Sequence, residues 1–290
     1  MSISNRQSLV SPAPTGPRAE GPLWATGSGA PPGASAASPS LTAIVLTHNE
    51  EKHLPDCLAS LAWAPQVLVF DSHSSDRTLA VARAAKAHIQ QRAFDNYAGQ
   101  RDAALQAATS EWVLFVDADE RVTPALAAEV QSVLARPEPG WWIPRHNYLF
   151  GRLTRHAGWY PDYQLRLLRR ALARYDPARP VHELVLLDSP LPAGQLREPF
   201  IHLNYDHPAE FVTKQKDYAG YDAGRLLAEG IRAKPHHFVL QPLRQFYWRW
   251  ITLQGWRDGL HGLRLSLLMA YFELEKYRQL WRRQRKILSA

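Results

Sequence analysis

Short apolar runs alternate with amphipathic stretches along the first half of the chain. Three of the runs are five or six residues long and rich in Val, Leu and Phe: LTAIVL at 41–46, QVLVF at 66–70 and WVLFV at 112–116. Runs of this kind are typical of buried parallel strands. A further strand is predicted at 88–92, and helical stretches separate the strands. This alternation predicts a mostly parallel α/β sheet with flanking helices.

The helix after the third run has a well-marked start. Thr123 is a good N-cap, and Pro124 suits the first helical position because its missing N–H needs no partner there. The residues that follow, ALAAEVQSVLAR, keep the helical pattern. The sequence therefore predicts a helix that begins at Pro124.

Composition divides the chain into three parts. Residues 1–40 are rich in Pro, Gly, Ser and Ala, which predicts a disordered tail. Residues 41–231 carry the α/β pattern, and residues 232–290 contain 12 Lys/Arg against 3 Asp/Glu in a chain of net charge +7. The basic excess thus lies at the C-terminal end. The single cysteine, Cys57, excludes an internal disulfide and a cysteine-based zinc site, and it favours a reducing compartment.

Polar clusters follow three of the predicted strands: Thr47–Glu50, Asp71–Asp76 and Asp117–Glu120. Ligands of parallel α/β sheets bind at such strand ends. The first two clusters also have a simpler interpretation as helix caps, which is the better one for the second cluster taken alone. Asp117 and Asp119 point to the same side, and carboxylates that close repel unless a cation or proton lies between them. The pair predicts a Mg²⁺ or Mn²⁺ site that holds a diphosphate.

Two common nucleotide-binding motifs are missing from the sequence. It has no G-x-x-x-x-G-K-[ST], and no G-x-G-x-x-G follows the first strand. P-loop and dinucleotide-binding domains are therefore disfavoured. The pattern favours a fold that grips a nucleoside diphosphate with carboxylates and one metal ion.

The α/β region resembles the start of a family 2 glycosyltransferase with the GT-A fold, in the segments LTAIVLTHNEEKHLPDCLASLAWAPQVLVFDSHSSDRT and WVLFVDADERVTP. Two later segments, RHAGWYPDYQLRLLRR and ARPVHE, are similar to the lipopolysaccharide-core β-glucosyltransferase branch, which adds glucose to the inner-core heptose. The resemblance implies inverting transfer of a sugar, glucose in this branch, from UDP-glucose to a lipid-linked glycan acceptor.

The resemblance also implies a role for each matching residue. The nucleotide-sugar pocket would be lined by Thr47, Asn49, Glu50, Asp71, Arg101 and Asp117, with Asp71 accepting a hydrogen bond from the uracil ring. Asp119 would be the principal metal ligand, and His182 an added metal or phosphate contact. Asp102 stands where the family usually has Asn, and its negative charge argues against a direct contact between Asp102 and the diphosphate. His73 stands where Gly is common, so that turn must accept a side chain.

Transfer with inversion needs a carboxylate to take the proton of the attacking hydroxyl. Asp162 is the first candidate for this base and Glu183 the second. Trp159 and Tyr160 could stack on the acceptor sugar. Each residue also has a structural interpretation: Trp159 as core, Asp162 as a cap and Glu183 as half of a polar pair with its neighbouring histidine.

The C-terminal extension at 232–290 interleaves Trp with Arg, which has three interpretations. A nucleic-acid surface is disfavoured because no nucleic-acid motif is present and the rest of the chain is slightly acidic. Aromatic and basic residues on amphipathic helices bind anionic lipid headgroups. We therefore expect a helical, membrane-associated extension, peripheral at the cytoplasmic face of the inner membrane, which can at the same time pack on the sheet as a subdomain.

Two alternatives to this function stay open. The acceptor could be a polyprenyl phosphate or another glycan. The protein could also be a catalytically silent, nucleotide-sugar-binding scaffold on the GT-A fold, although the complete Asp117 and Asp119 pair argues against it.

Overall fold

The computed structural model of the protein describes residues 40–176 and 184–288. The predicted tail at 1–40 lies outside these ranges except for its last residue, Ser40. Two predicted site residues, His182 and Glu183, also lie outside the described residues.

Strands and helices are numbered here in chain order. The strands are β1 Leu41–Thr47, β2 Gln66–Asp71, β3 His88–Gln91, β4 Trp112–Asp117, β5 Glu120–Arg121, β6 Gly140–Leu149, β7 Arg152–Leu153, β8 Asp162–Arg169, β9 Ala173–Tyr175, β10 Val185–Leu187, β11 Gly194–Gln195 and β12 Phe200–Tyr205. The α-helices are α1 Leu54–Ser60, α2 Thr78–Ala84, α3 Tyr97–Ala107, α4 Pro124–Val133, α5 Pro208–Ala228, α6 His237–Tyr247 and α7 Gly259–Leu288. A π-helical turn, Trp248–Thr252, and a 3₁₀ turn, Gly255–Asp258, connect α6 to α7.

Ten of the described strands form one sheet with the main order β3-β2-β1-β4-β8-β6-β12-β5. The first four strands are parallel. Only β8 reverses direction within the central part, because it is antiparallel to both β4 and β6, and β12 is again parallel to β6. The predicted mostly parallel α/β sheet is confirmed. The four strands predicted from the sequence are β1 to β4.

The predicted start of α4 is also confirmed. Its first residue is Pro124, and the Thr123 hydroxyl accepts a hydrogen bond from the Leu126 N–H at 3.1 Å. This bond satisfies one of the free N–H groups at the helix start.

Helices cover both faces of the parallel strands, which explains why these strands read as continuous apolar runs. On one face, Val45 and Leu114 pack in a cluster with side chains of α1 and α4. On the other face, Ile44 and Phe115 pack against side chains of α3. Successive residues of a strand thus belong to different cores. The strand ends are left as the place where polar side chains can gather.

A unit of three helices lies beyond the sheet. Helices α5 and α6 both pack against α7, and a cluster that contains Tyr205, Phe211 and Phe272 joins the unit to β12. Our domain prediction separated residues 41–231 from 232–290, which divides α5 from α7. In the structure the helical unit begins at Pro208, because α5 buries its apolar face against α7. No helix in the described parts of the chain has the length and apolarity needed to cross a membrane.

The start of α7 lies tightly against the 3₁₀ turn. A Cβ atom added at Gly262 would lie 1.9 Å from the carbonyl oxygen of Gly255. The obstacle is backbone, which cannot move aside without separating the two segments. Glycine at this position is therefore required by close packing.

We expect Gly262→Ala to lower the free energy of unfolding by about 1–3 kcal/mol, the usual cost of overpacking. Urea unfolding followed by circular dichroism measures this change. The matched control is Gly220→Ala in α5, where the new Cβ would meet only the ends of the Gln279 and Arg283 side chains. The control should be neutral or more stable by up to about 1 kcal/mol, because alanine favours helix. Equal stability of the two variants would contradict the packing argument.

Candidate active site

The three predicted polar clusters meet at one edge of the sheet. In the parallel registers, Thr47 of β1 pairs with Asp71 of β2, and Leu46 of β1 pairs with Asp117 of β4. All three strands therefore end at the same level, and the loops that follow them face one another. This edge is the candidate active site.

Asp71 is fully buried at the end of β2. Its carboxylate accepts hydrogen bonds from the Thr47 hydroxyl at 3.0 Å, the Ser74 N–H at 2.9 Å and the Gln91 amide at 3.0 Å, and also from the Ser74 hydroxyl. Burial alone would raise the pKa of Asp71, but these hydrogen bonds outweigh it and lower the pKa. The carboxylate thus stays ionised and organises the loop. A bond to a uracil ring would replace one of these partners.

The first two loops are held together by side chains. The side-chain oxygen Oδ1 of Asn49 accepts from the Ser75 N–H at 2.8 Å. The backbone N–H of Glu50 donates to the Thr78 hydroxyl at 2.8 Å. Asn49 itself lies in the left-handed region with φ of 57°. These contacts hold Asn49 and Glu50 at the carboxyl end of β1, where the sequence predicts them.

Two observations refine the expectations for the second loop. His73 has φ of 56°, a conformation that favours glycine, so the turn does accept a side chain where the family has Gly. Asp76 accepts from the Thr78 N–H at 2.9 Å at the start of α2. Asp76 thus holds the residue that begins α2, although the N-cap position itself is Arg77, whereas Asp71 lies inside the site.

Asp117 is held between two arginines. Its oxygens accept from Arg101 of α3 at 2.9 Å and from Arg166 of β8 at 2.5 Å. Burial raises the pKa of Asp117, but Arg166 and Arg101 outweigh this and hold the pKa far below its usual range. The sequence argument required a cation near the Asp117 and Asp119 pair, and for Asp117 the protein supplies that charge itself.

Asp102, beside Arg101, has a different partner. The Asp102 carboxylate accepts from the backbone N–H of Tyr175 in β9 at 3.1 Å. It contributes to holding β9 against α3. That Asp102 makes no direct contact with the diphosphate stays a prediction.

Asp119 faces a histidine that the sequence analysis did not select. His202, buried in β12, has its Nε2 atom 3.3 Å from Asp119 Oδ2. Its Nδ1 atom lies 2.6 Å from the side-chain oxygen Oδ1 of Asn147. The side-chain nitrogen Nδ2 of Asn147 donates to the Trp159 backbone carbonyl and to the Asp162 carboxylate, which fixes the orientation of the side-chain amide. Nδ1 of His202 must then be the donor, because the Asn147 oxygen has no hydrogen.

This geometry fits a divalent cation. In the neutral ring, His202 Nε2 turns its lone pair toward an Asp119 oxygen, and two facing lone pairs are stabilised by a shared cation. Ligands about 2.1 Å from an octahedral ion lie about 3 Å apart, close to the observed separation. The Asn147 contact is the outer hydrogen bond that orients a metal-binding histidine.

Among residues 40–176 and 184–288, no group of three or more His, Cys, Asp or Glu side chains is arranged to hold a metal ion. A site with two protein ligands suits Mg²⁺ or Mn²⁺, which keep water and take the remaining ligands from substrate phosphates. The structure thus offers Asp119 and His202 as ligands. The predicted contact from His182 lies outside the described residues.

Glu50 is half-buried beside the same cluster. Burial raises its pKa to about 7, with a further contribution from the negative charge of Asp119, while Lys214 acts in the opposite direction. The Glu50 side chain therefore gains a proton near neutral pH, which reduces the repulsion among the carboxylates.

Asp162, the first candidate for the catalytic base, begins β8 at this edge. Its Oδ2 accepts from Arg145 Nε at 2.8 Å and Arg145 Nη2 at 2.6 Å, and its Oδ1 accepts from the Gln164 amide at 2.8 Å. Burial raises the pKa of Asp162, but Arg145 and the amide donors outweigh it and lower the pKa. An ionised carboxylate can accept a proton, although the arginine makes it a weaker base.

The two predicted acceptor-stacking aromatics differ in their surroundings. Trp159 is half-buried, 6.3 Å from the Phe211 ring and under the Arg249 guanidinium, so it packs between the sheet and the helical unit. Tyr160 is exposed, with its ring 5.2 Å from that of His146. Tyr160 is thus available to a ligand, whereas Trp159 contributes to packing, and stacking of either ring on an acceptor sugar stays a prediction.

Sequence reasoning missed four polar residues of the site. They come from β6, β8 and β12: Arg145, Asn147, Arg166 and His202. Each lies in a strand that mixes apolar and polar residues, and a buried polar residue is an informative signal only once its burial is known. The partners of these residues are far away in sequence, so the signal by itself does not assign a role.

We expect the raised pKa of Glu50 to make stability depend on pH. The stabilisation it gives is fully present below its ordinary pKa of 4.5 and is lost as pH rises through about 7. Glu50→Gln, which mimics the protonated form, should therefore gain Tm relative to the parent protein between pH 5 and pH 8, in thermal unfolding with EDTA. Glu51→Gln, whose carboxylate faces Arg77, is the matched control. A Tm difference for Glu50→Gln that does not change with pH would contradict the assignment.

Comparisons with known proteins agree with the resemblance noted in the sequence. Residues 42–178 match the family model for glycosyl transferase family 2. The lipopolysaccharide core biosynthesis glycosyltransferase LpsC of Rhizobium meliloti is 28% identical over 235 residues, which cover 77% of this chain and 84% of LpsC. An uncharacterized glycosyltransferase of Rickettsia bellii is 22% identical, over 83% of this chain and 86% of its own length.

The mannosyltransferase PcManGT of Pyrobaculum calidifontis, solved in complex with GDP-Man and Mn²⁺, has a similar fold. Its TM-score is 0.51 at 16% identity, and the match covers 85% of this chain and 88% of that chain. This likeness confirms the predicted GT-A architecture. Residues 42–178 thus form a glycosyl transferase family 2 region, and the chain resembles the lipopolysaccharide core enzyme LpsC.

Proposed function

We propose that this protein transfers glucose from UDP-glucose to a lipid-linked glycan, the inner core of lipopolysaccharide, with inversion at the anomeric carbon. The observation that carries the proposal is the Asp119 and His202 pair at the strand edge, next to the arginine-bound Asp117. The name of LpsC supports the acceptor class. The proposal places the protein peripherally at the cytoplasmic face of the inner membrane.

The donor half of the reaction belongs to the loops after β1, β2 and β4. Thr47, Asn49 and Glu50 would line the nucleotide pocket together with the ordered Asp71 loop. Asp119 and His202 would hold Mg²⁺ or Mn²⁺ against the diphosphate. When bound, such an ion stabilises the negative charge that develops on the departing diphosphate. The orientation of His202 is kept by Asn147.

The acceptor half requires one in-line displacement. The acceptor oxygen forms a bond to the anomeric carbon while the bond from that carbon to the diphosphate oxygen breaks. The hydroxyl proton passes to a carboxylate, and the electron pair of the broken bond leaves with the diphosphate. Asp162 and Glu183 are the candidates for this base. Tyr160 lies exposed two residues before Asp162, where it can stack on an acceptor sugar.

We expect Asp119→Ala to abolish transfer in an assay of UDP release supplemented with Mg²⁺ or Mn²⁺, because the carboxylate holds the cation. The fold should remain intact by circular dichroism. Asp217→Ala, which removes an exposed carboxylate of α5, is the control and should keep full activity. Turnover by Asp119→Ala at saturating metal would refute the metal assignment. Donor binding without turnover in the parent protein would favour a silent scaffold.

The two candidate bases can be separated by isosteric variants. We expect Asp162→Asn to slow the chemical step by roughly 10²–10⁴-fold, the usual contribution of a general base. Glu183→Gln should have a smaller effect. Calorimetric binding of UDP with Mn²⁺ should be unchanged in both variants, which distinguishes loss of the base from collapse of the site. The opposite order of rates would assign the base to Glu183.

A further inference from the structure

A row of apolar side chains lies exposed along α6 and the π-helical turn. Val239, Leu243, Tyr247 and Ile251 follow one another at spacings of four residues, so they share one side of the helix. Each is between 46% and 61% exposed. The exposed Leu240 lies beside them, the 3₁₀ turn adds Trp256, and the start of α7 adds Leu260. We call these seven residues the apolar surface: Val239, Leu240, Leu243, Tyr247, Ile251, Trp256 and Leu260.

The charged side chains around the apolar surface have one sign. The sequence from 232 to 272 contains six Lys/Arg and one acid, Asp258. Asp258 is engaged within the protein, since its carboxylate accepts from the His156 N–H at 2.8 Å and lies 2.8 Å from His156 Nδ1. Five of the basic residues are exposed: Arg232, Lys234, Arg244, Arg257 and Arg264. An apolar area bordered by positive charge matches an anionic membrane interface.

The apolar surface is joined directly to the acceptor side of the site. The Ala157 N–H donates to the Leu253 carbonyl at 2.9 Å, and the buried Arg249 donates to the Ala157 carbonyl at 2.6 Å. The loop that contains Ala157 leads into Tyr160 and Asp162. The segment that carries Ile251 and Trp256 is therefore hydrogen-bonded to the loop that precedes Tyr160.

We propose that the apolar surface and its arginines dock on an anionic lipid membrane and hold the Tyr160 loop at the level of the headgroups. A second copy of this chain fits less well, because two surfaces with the same basic border would repel each other. The docking itself stands on the surface described here. The benefit to an acceptor that is anchored in lipid rests on the proposed function.

Co-sedimentation with vesicles tests the docking. The full chain should pellet with vesicles of phosphatidylglycerol and phosphatidylcholine, less with phosphatidylcholine alone, and less at high salt. The double variant Leu240→Asp/Leu243→Asp should lose binding by about tenfold or more, because two anchors leave the interface. Arg244→Glu should lose at least about fivefold, which corresponds to about 1 kcal/mol per basic residue at the membrane surface. Leu191→Asp, at an exposed leucine between β10 and β11, should bind like the parent.

Two further measurements make the outcome decisive. Thermal unfolding should show that the variants remain folded, as expected for changes at exposed positions. Calorimetric UDP binding with Mn²⁺, without vesicles, should be equal in parent and variants. Loss of UDP binding with intact vesicle binding would count against the proposed function alone.

Three results would overturn the docking proposal. The parent protein could fail to bind anionic vesicles, or the double variant could bind as well as the parent. Light scattering could also show a dimer that the double variant dissociates, with no vesicle binding, and the apolar surface would then be a contact between copies of this chain.

Discussion

The concentration of negative charge at one edge of the sheet is the constraint on which the site depends. Parallel registers bring the ends of β1, β2 and β4 together, so carboxylates from distant parts of the sequence become neighbours. Each charge needs its own compensation in a partly buried place. Asp71 is stabilised by hydrogen bonds, Asp117 by two arginines and Asp162 by Arg145. Glu50 reduces its charge by binding a proton near neutral pH.

Asp119 is the carboxylate whose compensation differs from the others. No arginine contacts it in the described ranges 40–176 and 184–288; the nitrogen nearest to its carboxylate is Nε2 of His202, at 3.3 Å. The arginines around Asp117 and Asp162 are therefore part of the same arrangement, because they neutralise the surroundings and leave one carboxylate for a cation. The predicted pair thus separates into Asp117, which two arginines hold, and Asp119, which stays the predicted metal ligand.

Much of the fold follows from local pattern. The four parallel strands and the start of α4 depend on apolar runs and on one capping residue, which are visible in a single sequence. The deeper part of the site does not, because Arg166 and His202 meet Asp117 and Asp119 only after β8 and β12 have joined the sheet. The packing of α5 on α7 is not visible in the sequence either, since α5 reads as an ordinary amphipathic helix. Its partner α7 begins more than thirty residues after α5 ends.

One segment of the helical unit has two different sides, one buried against the protein and one exposed. Its buried side must hold the loop before Asp162, and Arg249 does so from a place where burial lowers its pKa to about 10. A buried arginine without a carboxylate in contact is costly, so its hydrogen bond to Ala157 has to compensate. The exposed side of the same segment carries Ile251 and Trp256, which are 46% and 55% exposed. Under the docking proposal, a segment that is hydrogen-bonded to the Tyr160 loop on one side and apolar on the other would couple this loop to a membrane surface without any change in the sheet.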